Sequence, residues 1–309
     1  MDEGQEKRYD ALCRQILSVK EILANILTSC VPEFRGKAPT EVAKKYIEGT
    51  PDIGVPILET PIIPQISSGS SDFVSQEEGR TSYDVRFSAI APDTEGKVQL
   101  FLNVEAQNKS NPGYPLLKRG TFYCGRMLSA QYGTVFTKSD YGSLRKVYSI
   151  WICPYPRTYE EYSITLYQME GQSIEGNYVA KREEYDNIAI IMIYLGKKPA
   201  HELTGLMRLL TVLFLEQMPT KEVKEILEDE YKIHMTPDIE KGVEEMCNLS
   251  AGLIERGEER GFKRGEESGF KRGKEEMIVQ MLKENLPIEQ ISRITKLPIA
   301  KLQEIQNTL

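Results

Sequence analysis

The chain has 309 residues, 40% of them hydrophobic and 28% charged, with a net charge of −7 at neutral pH. This leaves room for one large domain or two smaller ones around a core of ordinary size. The acidic balance argues against wholesale electrostatic adhesion to nucleic acid but leaves a local basic groove open.

The charged start, Met1-Asp2-Glu3-Gly4-Gln5-Glu6-Lys7, lacks the apolar segment of a signal peptide. The apolar runs around Ile188–Leu195 and Leu209–Leu215 are too short to span a bilayer. A cytoplasmic protein with no membrane partner is expected. Residues Tyr9–Ser29 carry apolar side chains at Leu12, Ile16, Val19, Leu23, Ile26 and Leu27, which predicts one helix ended by Pro32. A short polar helix opens at Pro39-Thr40-Glu41 and runs to about Glu48. Residues 50–79 hold Pro51, Pro56, Pro61, Pro64 and the run Ser67-Ser68-Gly69-Ser70-Ser71, and read as a long loop or insertion.

From Arg80 the pattern turns to strands. Ser82–Ile90 and Val98–Gln107 flank the turn Pro92-Asp93-Thr94-Glu95-Gly96 and should pair as an antiparallel hairpin. Leu116–Tyr132 reads as a helix, and Lys146–Pro154 as a buried strand rich in β-branched and aromatic residues. A strand, helix, strand succession predicts a right-handed parallel crossover. Tyr162–Met169 and Asn187–Leu195 look like two further strands, followed by helices at His201–Gln217, Lys221–Tyr231 and Met235–Leu249. The expected fold class is α/β (α+β), a mixed sheet flanked by helices with a helical C-terminal extension.

Arg256–Lys263 (R-G-E-E-R-G-F-K) is repeated as Arg264–Lys271 (R-G-E-E-S-G-F-K), with glycine at every fourth position from Gly257 to Gly273. On a helix each four-residue step drifts by about 40°, so the glycines form one slanted row. Interior glycines cost about 1 kcal/mol each against alanine. The Glu259, Lys263, Glu267, Lys271 row returns about 0.2–0.5 kcal/mol per ion pair. Alone such a helix is marginal. Two readings stand, a self-associating helix and a flexible charged linker. Lys274–Asn285 is a better helix, and Ile288–Ile294 and Ile299–Ile305 are two short ones spaced like a helix-turn-helix. With only Lys301 basic on the second, they read as a packing or oligomerisation module rather than a DNA reader. The domains are therefore 1–250 with the insertion at 50–79, then 251–275 as repeat, then 276–309 as a small helical module. Residues 251–309 are the segment through which a homo-oligomer would form.

Cys13, Cys30, Cys124, Cys153 and Cys247 are scattered and never form C-x-x-C, which speaks against a zinc site or a disulfide framework. His201 and His234 are the only histidines and read as structural. The chemistry-bearing residues lie instead at strand tips. Asp84, in Tyr83-Asp84-Val85, and Glu105, in Glu105-Ala106-Gln107, stand 21 positions apart on the two arms of the hairpin. Gln107 projects from the same face as Glu105 because side chains alternate along a strand. Two carboxylates suit Mg2+, which takes one or two of them plus waters and substrate phosphate. Such an ion neutralises a phosphodiester and positions water.

The ordered set Y-D-V-R-F (Tyr83–Phe87), F-L-N-V-E-A-Q-N-K (Phe101–Lys109), L-L-K-R-G-T-F-Y-C-G-R-M-L-S-A-Q-Y (Leu116–Tyr132) and V-Y-S-I-W-I (Val147–Ile152) resembles the PD-(D/E)XK nuclease superfamily. It looks closest to the Rpn-type recombination-promoting nucleases, also called PD-(D/E)XK nuclease family transposases. The glycine-studded tail and I-x-x-I-x-x-x-T-x-L (Ile288–Leu297) are similar to that branch as well. The resemblance covers most of the chain from Arg80 and, weakly, the N-terminal helix.

It implies a restriction-endonuclease-like fold and a metal-dependent DNA endonuclease using Mg2+ or Mn2+. Asp84 would be the family's first acid and Glu105 the second. Gln107 stands where the superfamily has lysine, as is common in this branch. An amide orients water or a phosphate oxygen but lends no positive charge. Lys109 and Lys118 are the candidate sources of that charge, set against plain solvated lysines. Glu21 would be the acid contributed by a helix. Arg119 and Tyr123 match the family's R-x-x-x-Y, with Arg119 reaching a phosphate or serving a structural ion pair. A competing expectation, from the net charge and the missing lysine, is a non-catalytic nucleic-acid-binding or assembly protein on a nuclease-like fold.

Overall fold

A computed structural model describes residues 3–56, 82–92, 99–106, 112–216, 218–247, 277–282, 284 and 286–306. Among the described residues six strands form one mixed sheet: β1 (Asp52–Pro56), β2 (Ser82–Ile90), β3 (Gln99–Ala106), β4 (Val147–Cys153), β5 (Ser163–Gln168) and β6 (Ile188–Tyr194). Their order across the sheet is β1-β2-β3-β4-β6-β5. The centre is parallel, β3 with β4 and β4 with β6. The flanks are antiparallel, β1 with β2, β2 with β3, and β5 with β6.

The sequence explains this division. β4, V-Y-S-I-W-I-C, is buried at every position, and β6, I-A-I-I-M-I-Y, at all but its two ends. Near-continuous apolar runs are what a parallel strand covered on both faces requires. Strands β2 and β3 pair antiparallel as the alternation predicts, and residues 93–98, which hold most of the expected turn, lie outside the described residues. The parallel β3–β4 pair spans the helix α4 (Leu116–Ser129), as the strand, helix, strand succession predicts.

Proline misleads at one edge. The segment read wholly as a loop from residue 50 begins with β1, which pairs Ile53 with Val85 and Val55 with Tyr83. Pro51 and Pro56 fit because an edge strand has one side with no ladder to donate to. The remainder of that segment, residues 57–79, lies outside the described residues. The expected single N-terminal helix is two, α1 (Glu3–Leu17) and α2 (Lys20–Cys30). Val19 between them is extended (φ −69°, ψ 122°), and Ser18 Oγ donates to the Gln15 carbonyl at 2.7 Å. That local bond competes with the helical ladder. A short α3 (Pro39–Lys45) follows.

The helix expected over His201–Gln217 is also broken. A turn of 3-10 helix at Ala200–Glu202 gives way to extended Leu203 and Thr204, and α6 spans Gly205–Phe214. Gly205 has φ +55°, open to glycine at little cost. A short α5 (Arg182–Tyr185) precedes β6, and α7 (Thr220–Asp229) and α8 (residues 237–247) follow α6.

Helix α4 packs on β4 and β6 through Tyr123, Cys124 and Met127, set against Val147, Trp151, Cys153, Ile190 and Met192. Gly120 marks the closest approach. A Cβ there would stand 3.0 Å from both Ile190 Cγ2 and Trp151 Nε1. The Trp151 Nε1 donates to Ser149 Oγ at 2.9 Å, satisfying both groups in the core. Helix α1 packs on β1, β2 and β3, and α2 on α3 and α6. Where β4 and β6 begin, Lys146 Nζ bridges Asp186 (2.8 Å) and Glu33 (3.3 Å), and Arg182 Nε also holds Asp186. Tyr148 Oη donates to Glu33 at 2.6 Å, and its ionisation is pushed up by burial and by that carboxylate.

All five cysteines are free, and His201 and His234 are exposed. Among the described residues no helix is long and apolar enough to cross a membrane. The chain divides into two compact units, Met1–Ser250 and Ala251–Leu309. In the second, a helical stretch over residues 277–282, α9 (Ile288–Thr295) and α10 (Ile299–Gln306) bury Ile278, Leu282, Ile291 and Leu302 together. The glycine repeat lies outside the described residues.

Gly120→Ala should destabilise the first unit by about 1–3 kcal/mol, the usual cost of overpacking a filled core. The only tryptophan, Trp151, reports this unit's unfolding in urea by fluorescence. Burial pushes the Cys124 and Cys153 thiols up to about 12, so both should resist alkylation at pH 8 in the native protein. Gly120→Ala should speed labelling of Cys124, read by mass spectrometry, as α4 is levered off the sheet.

Candidate functional site

The register of three strands builds the site. Val85 pairs with Val104, and Val104 with Ile150. One step further along, Asp84 on β2 comes opposite Glu105 on β3, and Glu105 opposite Trp151 on β4. Facing positions in an antiparallel ladder are about 4.5–5.5 Å apart between Cα atoms. The two acids read from sequence are thus brought to neighbouring backbone positions.

Asp84 is firmly oriented. Its Oδ2 accepts from the backbone N–H of Ala106 at 3.0 Å, so its carboxylate is anchored on the middle residue of Glu105-Ala106-Gln107. Its Oδ1 accepts from Arg14 Nε of α1 at 2.7 Å. This ion pair is partly shielded, with 13% of the Asp84 side chain and 31% of the Arg14 side chain exposed. Beside it the Cys13 thiol is pushed up by burial, Asp84 adding a smaller contribution of the same sign.

On α4, Arg119 and Tyr123 lie one turn apart and do meet. The guanidinium donates to Tyr123 Oη through Nε (2.9 Å) and Nη2 (2.5 Å), and to Tyr114 Oη through Nη1 (2.9 Å). It also stands 5.2 Å from the Trp151 ring centroid and 5.1 Å from that of Tyr123. Such cation–π contacts are worth roughly 0.5–2 kcal/mol. Arg119 is therefore held in an aromatic box beside the strand position that faces Glu105. Neither Arg14 nor Tyr114 stood out in the sequence. The helical spacing of R-x-x-x-Y finds Tyr123, whereas Tyr114 precedes the helix and Arg14 reaches Asp84 across 70 positions of chain.

Other candidates are dispersed or undescribed. Lys118 is exposed on the first turn of α4. Glu21 lines a cleft of about 520 Å3 with Lys20, Lys44 and Asp238, to which neither β2 nor β3 contributes. Gln107 and Lys109 lie outside the described residues, and Glu105 is described in its backbone alone. Among the described residues no three His, Cys, Asp or Glu side chains gather as a metal-binding group. Asp84 and Glu105 are both carboxylate residues, whose hard oxygens as a class suit Mg2+ or Mn2+ rather than a thiolate- or imidazole-seeking metal.

No family model, curated protein or solved structure matches the chain.

The Arg14–Asp84 pair should behave as a latch between α1 and the sheet. A double-mutant cycle of Arg14→Met and Asp84→Asn should give a coupling of about 1 kcal/mol in urea unfolding, discounted for partial exposure. Additive effects of the two substitutions would show that the pair contributes nothing to stability.

Proposed function

We propose that the protein is a metal-dependent DNA endonuclease of the transposase or recombination-promoting type, with a restriction-endonuclease-like fold. The observation that carries this reading is the hydrogen bond from Ala106 N to Asp84 Oδ2, which ties the aspartate to the Glu105-Ala106-Gln107 motif. The mixed sheet, with an antiparallel hairpin leading into a helix and a parallel strand, agrees with it. Asp84 and Glu105 would hold Mg2+ or Mn2+. The ion, when bound, neutralises the scissile phosphate and acidifies a water.

The chain's own residues do the positioning. The Ala106 amide fixes the Asp84 carboxylate, and Gln107 orients water or a phosphate oxygen. Arg119, its guanidinium preset by Tyr114 and Tyr123, offers a planar donor group to substrate phosphate. Lys118, exposed on the same helix, and Lys109 are candidates for the positive charge that Gln107 lacks.

A second reading rests on the Arg14–Asp84 ion pair. A carboxylate already neutralised by an arginine can be a purely structural latch, and the protein would then bind nucleic acid or assemble without cutting it.

Plasmid nicking separates the two. Asp84→Ala and Glu105→Ala should each lower Mg2+-dependent nicking by more than about 100-fold, since even outer-shell partners of a metal cost 10–100-fold. The folded state is checked by Trp151 fluorescence. Full activity in both variants would overturn the assignment to Asp84 and Glu105, whereas salt-dependent DNA binding with no cleavage in Mg2+ or Mn2+ by the unaltered protein would favour the second reading.

A further inference from the structure

The two edges of the sheet are treated differently. β1 carries Asp52 and Pro56 and follows Pro51, devices that keep an edge from pairing with another chain. β5, the opposite edge, reads S-I-T-L-Y-Q, with no charge and no proline. Ile164 and Tyr167 within it are 41% and 42% exposed. Half of the large hydrophobic side chains that stand exposed among the described residues fall between Tyr155 and Val179, the strand and its flanks. Tyr159, Ile174 and Tyr178 are the most open of them. An uncharged edge strand with exposed apolar side chains is a template for pairing with another chain.

The strand is also held in place. Tyr162, just before it, has φ +60°, and its Oη accepts from Lys197 N and Lys198 N at 2.6 and 2.7 Å. Its ring stacks under Lys198 Nζ at 4.8 Å. A rigid, uncharged edge loses little freedom on pairing.

We propose that β5 pairs antiparallel with β5 of a second copy of this chain, about a two-fold axis through Thr165, joining two six-stranded sheets into one. The axis follows from the sequence of the strand. A two-fold normal to the sheet keeps each face on its own side, so positions of like parity come opposite. With Thr165 on the axis, Ile164 meets Leu166 of the partner subunit, and Ser163 meets Tyr167 of the partner subunit. β-branched, aliphatic and aromatic cross-strand pairs are favourable, and no like charges meet within the strand, although each chain carries −7 overall. The partner is a second copy rather than an unrelated peptide because the one strand supplies both halves of this complementary register. The pairing is independent of the proposed nuclease chemistry.

Sedimentation velocity on the full chain tests it. At micromolar concentration the unaltered protein should run at twice the 35.2 kDa of one chain. Raising the salt should not dissociate it, because the contact is apolar and backbone-bonded. Ile164→Lys should return the mass to one chain with unchanged Trp151 fluorescence. Should that variant unfold, Tyr167→Lys carries the same test. Ile294→Lys, at an exposed position in the second unit, should leave the two-chain mass intact. A one-chain mass for the unaltered protein, or a two-chain mass that survives Ile164→Lys or Tyr167→Lys in folded protein, overturns the proposal.

Discussion

The backbone ladder joining β2, β3 and β4 is the constraint on which the rest of the structure depends. The hydrogen bonds that pair Val85 with Val104 and Val104 with Ile150 fix which residues stand level across the sheet. Because side chains alternate with a period of two, a slip of one residue would send the buried residues of β2 to the other face. Val85 and Phe87 are buried and alternate with half-buried Asp84, Arg86 and Ser88, so such a slip would expose large apolar groups at about 1.5–3 kcal/mol each. The core therefore enforces the register, and the register brings Asp84, Glu105 and Trp151 into one row.

Trp151 couples that row to the helical layer. Its indole packs under Gly120 and against Tyr123, and it forms part of the aromatic box that holds Arg119. The box depends on the helix lying close, and the helix lies close because position 120 has no side chain. One small residue thus sets both the α4–sheet distance and the place where a guanidinium can sit. The opposite end of the sheet is tied by a different device. There Lys146, Arg182, Glu33 and Asp186 form a shielded ion network, in which Asp186 is nearly fully buried and matched by two cations. Breaking such a network by removing one partner strands a buried charge.

The parts of the fold that follow from short-range pattern were readable from sequence. The alternation of β2 and β3, the apolar runs of β4 and β6, and the 3.6-residue spacing of α4 each declare an element without reference to anything distant. What was hidden depends on partners far along the chain. β1 has too many prolines to look like a strand, and becomes one only because β2 offers a ladder. At the α1–α2 break a serine side chain bonds to the carbonyl three residues back, Ser18 Oγ to Gln15. For the site, Asp84 and Glu105 were legible as acids near strand ends, and Arg119 with Tyr123 as a helical pair. The ion pair to Arg14 was not, because nothing local in α1 distinguishes that arginine from Arg8.

That ion pair sets the central tension of the site. Arg14 Nε sits 2.7 Å from Oδ1, whereas Oδ2 is held by the uncharged Ala106 amide. Were Asp84 to hold a divalent ion as proposed, that ion and the guanidinium would compete for one carboxylate, because like charges repel across a few ångströms. A partly exposed ion pair contributes only about 1 kcal/mol. With nearly a third of its side chain exposed, Arg14 has solvent into which it could turn, and the Ala106 amide, carrying no full charge, would meet no such repulsion. Helix α1 would keep its place on β1, β2 and β3 through its packing, since the ion pair is only one of its contacts with the sheet.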